Sequence, residues 1–210
     1  MINIEPMGVY GWEAAIRGMR NPLESWDKID SRMTPAGVTV GPNDLSLMRR
    51  LAKAGTDHRK FMRFIVAYAD ITAPLYWWKE FDTYRAGVEK NSCSTMHCIH
   101  KHAFTPDDFS CEHLEGIYQV LLEKTIVQLN GAREEYLESK GKDEWWQMIQ
   151  LLPTSYNQTR TVMISYEALA NMYFARKNHK LDEWHTFCSW AETLPYFTAI
   201  ICPEEVQYES

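Results

Sequence analysis

Apolar positions along this chain repeat mainly with helical spacing. Leu45, Met48, Leu51 and Ala52 share one face, Asn43 can cap its start and Gly55 can close it, which predicts a helix over 43–54. Before it, Gly8, Gly11, Pro22, Pro35, Gly37, Gly41 and Pro42 punctuate the chain, predicting an extended start, a short helix around Glu13–Met19 and then loop. The run Phe64-Ile65-Val66-Ala67-Tyr68-Ala69-Asp70-Ile71 is β-branched and aromatic and predicts a strand. Pro74 suits the first turn of a helix over Leu75–Thr83, where Leu75, Tyr76, Trp77, Trp78 and Phe81 give way to ionisable groups.

Further on, Thr105-Pro106-Asp107-Asp108 combines a capping hydroxyl, a proline at the first helical position and two acids. It predicts a long helix with Phe109, Leu114, Ile117, Leu121, Leu122 and Ile126 on its core stripe, reaching Leu137. Ser139-Lys140-Gly141-Lys142-Asp143 reads as a hinge before a short helix at Glu144–Leu151 that Pro153 stops. Two more helices are predicted, Tyr166–Arg176 with Leu169, Met172 and Tyr173 inward, and Leu181–Leu194 with Trp184, Phe187, Cys188, Ala191 and Leu194 inward. The sum is α+β, a mostly helical single domain over residues 1–210 with a small sheet.

Composition narrows the function classes. An apolar content of 45% argues against disorder, and eight Trp with ten Met suit flat-ligand pockets and subunit contacts as well as cores. A formal charge of −6 disfavours binding to DNA, although a local basic pocket could hold a phosphate. The first residues show no signal peptide, and Phe61–Trp78, broken by Arg63, Asp70 and Pro74, is no membrane span. Five scattered cysteines form no disulfide framework and fit a cytoplasmic protein.

Motifs exclude more than they assign. No GxGxxG, P-loop or Gly-x-Ser-x-Gly elbow is present. Cys93, His97, Cys98, His100, His102, Cys111 and His113 crowd one segment, but without a Cys-x-x-Cys or His-x-x-x-His spacing no metal site is read. Arg176 ends an apolar helix face; it is either a cation matched to the helix dipole or an anchor for an anion or carbonyl.

Two segments together carry a resemblance. Ala73-Pro74 leads to Lys79-Glu80-Phe81, Thr83-Tyr84-Arg85 and Asn91-Ser92-Cys93-Ser94-Thr95-Met96; later come Leu152-Pro153, Leu169 to Arg176 and His179 to Trp184. Order and spacing resemble the flavin-dependent thymidylate synthases, with Arg-Gln-aromatic, Arg-His-Arg, Asn-Glu-x-Ser-x-Arg, Leu-Pro, Leu-x-x-Phe-x-x-x-Arg and His-Ala-Gln-x-Glu-Ile. Upstream, Gly55 to Phe61 falls where that family has Gly-His-x-Ser-Pro-Phe-Glu-His, with His58 as the first His.

The resemblance implies an enzyme in which FAD carries the one-carbon unit from methylenetetrahydrofolate to dUMP or a related pyrimidine nucleotide, with NADPH reducing the flavin. It implies a homotetramer, since such sites lie between subunits. Arg176 and Ser94 would be catalytic, and Lys79 and Glu80 would join them at the substrate. Arg85, Tyr84, Thr83, His58, Asn171 and His179 would hold the flavin. Both phosphate-anchoring arginines are lost, at Met96 and Glu167. At about 1.5–3 kcal/mol each this weakens phosphate binding substantially, and a carboxylate at 167 facing a phosphate would weaken it more. Lys101, Arg63 and Arg160 are candidate replacements. A flavin- or nucleotide-binding homologue with another substrate, and a non-catalytic oligomeric binding protein, stay open as alternatives.

Overall fold

The structure, a computed structural model, describes residues 2–35 and 37–202. In chain order its strands are β1 (Asn3–Tyr10), β2 (Arg32–Thr34), β3 (Gly37–Thr39), β4 (Val66–Pro74), β5 (Val88–Ser92) and β6 (Asn157–Ser165). The helices are α1 (Trp12–Arg20), α2 (Pro42–Lys53), α3 (Leu75–Phe81), α4 (Thr95–Cys98), α5 (Ile117–Ser139), α6 (Lys142–Leu151), α7 (Tyr166–Arg176), α8 (Asp182–Thr193) and α9 (Phe197–Ile201). Four strands form one sheet in the order β1-β4-β6-β5, while β2 and β3 pair antiparallel with Met33 opposite Val38. The class is α+β and mostly helical, with a small sheet. Among the described residues no helix is long and apolar enough to cross a membrane.

The described residues group into two compact units, one drawn from 2–5, 70–83 and 90–161, the other from 6–69, 84–89 and 162–202. In the first, α5 lays Leu122, Ile126, Leu129 and Ala132 against Met148 of α6, Ile99, Phe104 and Phe109. The capping box at Thr105 is formed, with Asp108 accepting from the Thr105 amide at 2.7 Å, but it opens a single 3-10 turn instead of the long helix predicted there. Phe109 instead makes a β-bridge to Tyr156, and the Ser110 amide donates to the Ser155 carbonyl at 2.8 Å. Pairing with that neighbouring segment outcompetes helix propagation, and α5 starts only after Gly116, whose φ is 56°. Leu114, Ile117 and Leu121, predicted inward, are exposed. In α3, Trp77, Trp78 and Phe81 bury completely in mutual edge and tilted contacts 4.9–5.2 Å apart.

In the second unit, α2 starts one residue before the predicted cap. Gly41 is the N-cap and Pro42 the first helical residue. The capping carboxylate comes from Asp30, which accepts from the Asn43 and Asp44 amides at 2.8 and 3.0 Å. A side chain at Gly41 would collide with that carboxylate. The fully buried Asp44 accepts from Arg20 (2.7 Å), the Ser31 hydroxyl (2.7 Å) and the Ser31 and Asp30 amides. The strand predicted from Phe64 begins at Val66, and Phe64 is exposed at the end of a 3-10 turn over Arg59–Arg63.

The corner from β6 into α7 is closely packed. Ser165 donates its amide to the Gly87 carbonyl at 2.8 Å and caps α7 by accepting from the Ala168 amide. Gly87 has φ 74°, and a Cβ there would strike the Ser165 hydroxyl. Tyr166 is fully buried; its amide donates to Ile65 at 2.9 Å and its hydroxyl to Pro195 at 2.8 Å, with the ring edge-on to Trp12 and Phe197.

Asp44→Ala leaves the buried Arg20 guanidinium without its carboxylate, so urea denaturation should show a loss of about 3–5 kcal/mol. A loss under about 1 kcal/mol would mean that the pair is dispensable. Burial alone would raise the Asp44 carboxyl, but hydrogen bonds from Ser31, Arg20 and Asp30 outweigh it and hold the group below the ordinary aspartate range. Its contribution is complete above that range and is lost as pH falls through the lowered value. Stability of the wild type should therefore fall more steeply in acid than that of Asp44→Ala.

Candidate functional site

Helix α7 carries Glu167 in its first turn, Asn171 one turn on and Arg176 at its end. Its first-turn dipole favours a carboxylate. Glu167 is buried and paired with Arg63 through Nε, and with Arg59 at 3.3 Å. Arg59 also donates to the Asn171 side-chain oxygen at 2.9 Å, bracing residues one turn apart. Burial would raise the Glu167 carboxyl, but the hydrogen bond and charge of Arg63, then those of Arg59, hold it below its usual range. Two expectations are thereby corrected. Glu167 is not an anion left facing outward, and Arg63 is engaged by it and not held in reserve for a phosphate.

At the other end of α7, Arg176 Nε donates to the Tyr84 hydroxyl at 2.9 Å. Its guanidinium lies 4.9 Å from the Trp184 ring centroid and 5.6 Å from that of Tyr84. His179 meets Trp184 edge-on at 6.4 Å and accepts from the Leu181 amide through Nδ1. Three residues expected at the site, Tyr84, Arg176 and His179, thus converge on Trp184, which pattern analysis assigned to the core alone. Both descriptions hold, since Trp184 is fully buried. Arg85 is exposed.

His58 stands apart from that group. It lines a cavity of about 500 Å³ with an apolar wall that includes Met19, Leu47, Leu51 and Phe61, and with Lys28, Arg50 and Lys60 as cations. Arg20, also on the wall, is committed to Asp44.

In the first unit, Lys79 is exposed on α3, and the Thr83 hydroxyl donates back to the Glu80 carbonyl at 2.7 Å. Between these residues and the sheet lies a network that sequence reasoning missed. Asp82 pairs with Lys90 at 2.7 Å and Arg160 at 2.9 Å. Burial works against the charged form of Asp82, and those two cations outweigh it, keeping the carboxyl below its usual range. Arg160 lies 4.3 Å from the Trp78 ring centroid and donates to the Gln158 side chain, whose amide donates to the Cys93 carbonyl at 2.9 Å. The Cys93 amide donates to the Thr159 carbonyl, so the residue before Ser94 is tied at both backbone groups. The alternation of buried Gln158, Val162 and Ile164 was the available signal for β6.

Ser94 begins α4 without a side-chain capping bond and lines a cavity of about 280 Å³. Cys93, Cys98, His102, Asp107, Asp108 and Tyr156 share its wall. Burial, with Asp108 and the two thiols nearby, pushes the Tyr156 phenol above its usual range and keeps it a donor. Among the described residues no three His, Cys, Asp or Glu side chains gather in a way that could hold a metal ion.

No family model matches the sequence, and no curated protein matches it either. Solved structures do. Thymidylate synthase X from Helicobacter pylori, with FAD and dUMP, matches at TM-score 0.69 and 14% identity over 96% of this chain and 97% of that one. A second structure of the flavin-dependent enzyme from the same organism, complexed with FAD and dUMP, gives 0.69 at 15% identity over 95% and 97%. A UMP/dUMP methylase from Streptomyces cacaoi, bound with 5-Br dUMP, gives 0.61 at 14% over 95% and 93%. The chain has the fold of the flavin-dependent thymidylate synthases, as the spacing of its two segments led us to expect.

Proposed function

We propose that this chain is an FAD-dependent enzyme that methylates a uracil ring, dUMP or a related pyrimidine, using methylenetetrahydrofolate and NADPH. The observation that carries the reading is the likeness over nearly the whole chain to enzymes solved with FAD and dUMP. The residues present fit a flavin in kind: the cavity at His58 combines an apolar wall for a ring with Lys28, Arg50 and Lys60 for a pyrophosphate. Thr83, Tyr84, Arg85, Asn171 and His179 are the other flavin contacts we assign.

When bound, reduced FAD supplies the carrier and the electrons for the one-carbon transfer. The protein orients and polarises. Arg176, fixed by Tyr84 and Trp184, is placed in the role of donor to a pyrimidine carbonyl, and its rigid setting lowers the entropy lost on binding. Ser94 offers a hydroxyl that no cap bond engages, with Lys79 and Glu80 assigned beside the substrate.

A homotetramer in the cytoplasm belongs to the same reading. Its support on the surface is α5, where Ile117, Tyr118 and Leu121 are each more than 60% exposed, an apolar face that another subunit would cover. A homologue with an altered substrate is the second reading, favoured by Met96 and Glu167 at the two anchor positions.

Purified protein should show flavin absorption, or acquire it with added FAD, and Arg85→Ala should weaken FAD binding at least about tenfold. A colourless protein that takes up no FAD would end the proposal. Arg176→Ala should cost about 1–2 kcal/mol of stability through the lost Tyr84 bond and ring contacts. It should also weaken binding of a uracil-ring ligand at least about tenfold. Unchanged ligand affinity in calorimetry would reduce Arg176 to a helix-end cation.

A further inference from the structure

We infer that Cys93 and Cys98 form a redox-responsive thiol pair whose disulfide closes around Ser94 and weakens substrate binding there. The disulfide stands on the placement of the two thiols, while its effect on binding rests on the reading of Ser94 as a substrate contact. Ser94 immediately precedes α4 and has an extended backbone, with φ −70° and ψ 116°. Cys93 comes before it, and Cys98 completes the turn that follows, its amide donating to the Ser94 carbonyl at 3.0 Å. Side chains at these two positions meet across the first turn, the arrangement apolar residues use as a staple. Both residues are thiols, line the same cavity and lie near the Tyr156 phenol.

Burial sets the order of reaction. Cys93 is exposed and Cys98 half-buried, so Cys93 meets the oxidant and Cys98 resolves it. Cys188 is buried, and that burial, with Glu192 nearby, pushes its thiol up to about 11 and leaves it inert near neutrality. Cys111 does not line the cavity. With a peroxide as oxidant, the Cys93 sulfur attacks one oxygen; an S–O bond forms, the O–O bond breaks and water leaves. The Cys98 sulfur then attacks that of Cys93; an S–S bond forms, the S–O bond breaks and a second water leaves. Each water takes one thiol proton, and two electrons pass from the sulfurs to the peroxide. Transient disulfides of this kind are the sort that intracellular proteins use for sensing.

Bonding brings the two sulfurs to about 2 Å. Cys93 cannot give way, because its amide donates to the Thr159 carbonyl at 3.0 Å and its carbonyl accepts from Gln158 at 2.9 Å. The adjustment therefore falls on Ser94 to Cys98 and moves the Ser94 hydroxyl, which no capping bond holds. A shift of about 1 Å is enough to spoil a positioned contact.

The test treats the full chain, loaded with FAD, with hydrogen peroxide, then blocks remaining thiols, digests and weighs the peptides. A Cys93–Cys98 bridge should form, disappear on reduction with dithiothreitol, and be absent from Cys93→Ser and Cys98→Ser. Peroxidised wild type should bind dUMP at least about tenfold more weakly in calorimetry and recover on reduction, while Cys98→Ser should show no such recovery-linked change. Irreversible oxidation of Cys93 alone, or a bridge to Cys111 instead of Cys98, would overturn the inference and leave the flavin-enzyme reading standing. A bridge that leaves dUMP affinity unchanged would overturn the control of Ser94. Reduced protein that loads no FAD and binds no dUMP would sink the underlying reading, and with it that control, while the peptide masses decide the disulfide independently.

Discussion

The corner at Ser165-Tyr166 is the constraint on which the second unit depends. Two backbone bonds, to Gly87 and Ile65, fix where β6 stops and α7 starts. The Tyr166 side chain then locks the direction, with its ring against Trp12 and Phe197 and its hydroxyl on Pro195. Burial pushes that phenol far above its usual range, so it stays a donor at any working pH. Because α7 is set in place by its first residue, the side chains along it inherit fixed positions. Glu167 comes to Arg59 and Arg63, and Arg176 comes to Tyr84 and Trp184.

A common pattern connects the polar clusters. Arg20 goes to Asp44, Arg59 and Arg63 go to Glu167, and Arg160 and Lys90 go to Asp82. In each case the cations beside the carboxylate keep it charged, at Asp44 and Glu167 against burial and at Asp82 in a more open setting. The fold of the flavin-dependent thymidylate synthases is thus present with Arg20, Arg59, Arg63, Arg160 and Lys90 each paired to a carboxylate of the same chain. Architecture and ligand chemistry are separable in general, because helix packing uses apolar faces while ligand chemistry rests on a few polar residues.

Much of the fold was legible where one signal dominated. Helix α7 was read at its observed bounds, and α8 within a residue at each end, because their apolar spacing and flanking breakers agree. Thr105 to Asp108 misled because a capping box specifies only a start; Phe109 and Ser110 then pair with Tyr156 and Ser155, which no local window contains. The cap of α2 was misplaced for the same reason, since Asp30 supplies it from a distant stretch of chain. The resemblance named Arg176, Tyr84 and His179 together, and packing around Trp184 is what groups them in the structure. The partners of Glu167 and Asp82 were not legible, because an ion pair between residues far apart in sequence leaves no periodic trace.

The rings on and around α8 form a continuous file: Tyr84 meets Trp184 at 6.1 Å, Trp184 meets Phe187 at 5.5 Å and Phe187 meets Trp190 at 5.4 Å. Arg176 lies against the first indole of that file. A positive charge beside an indole shifts its emission, so any event that draws the guanidinium away alters the light Trp184 gives out. The chain therefore carries, among its eight tryptophans, an intrinsic optical reporter beside the residue at the centre of its proposed chemistry, its share of the emission being the difference between wild type and Trp184→Phe.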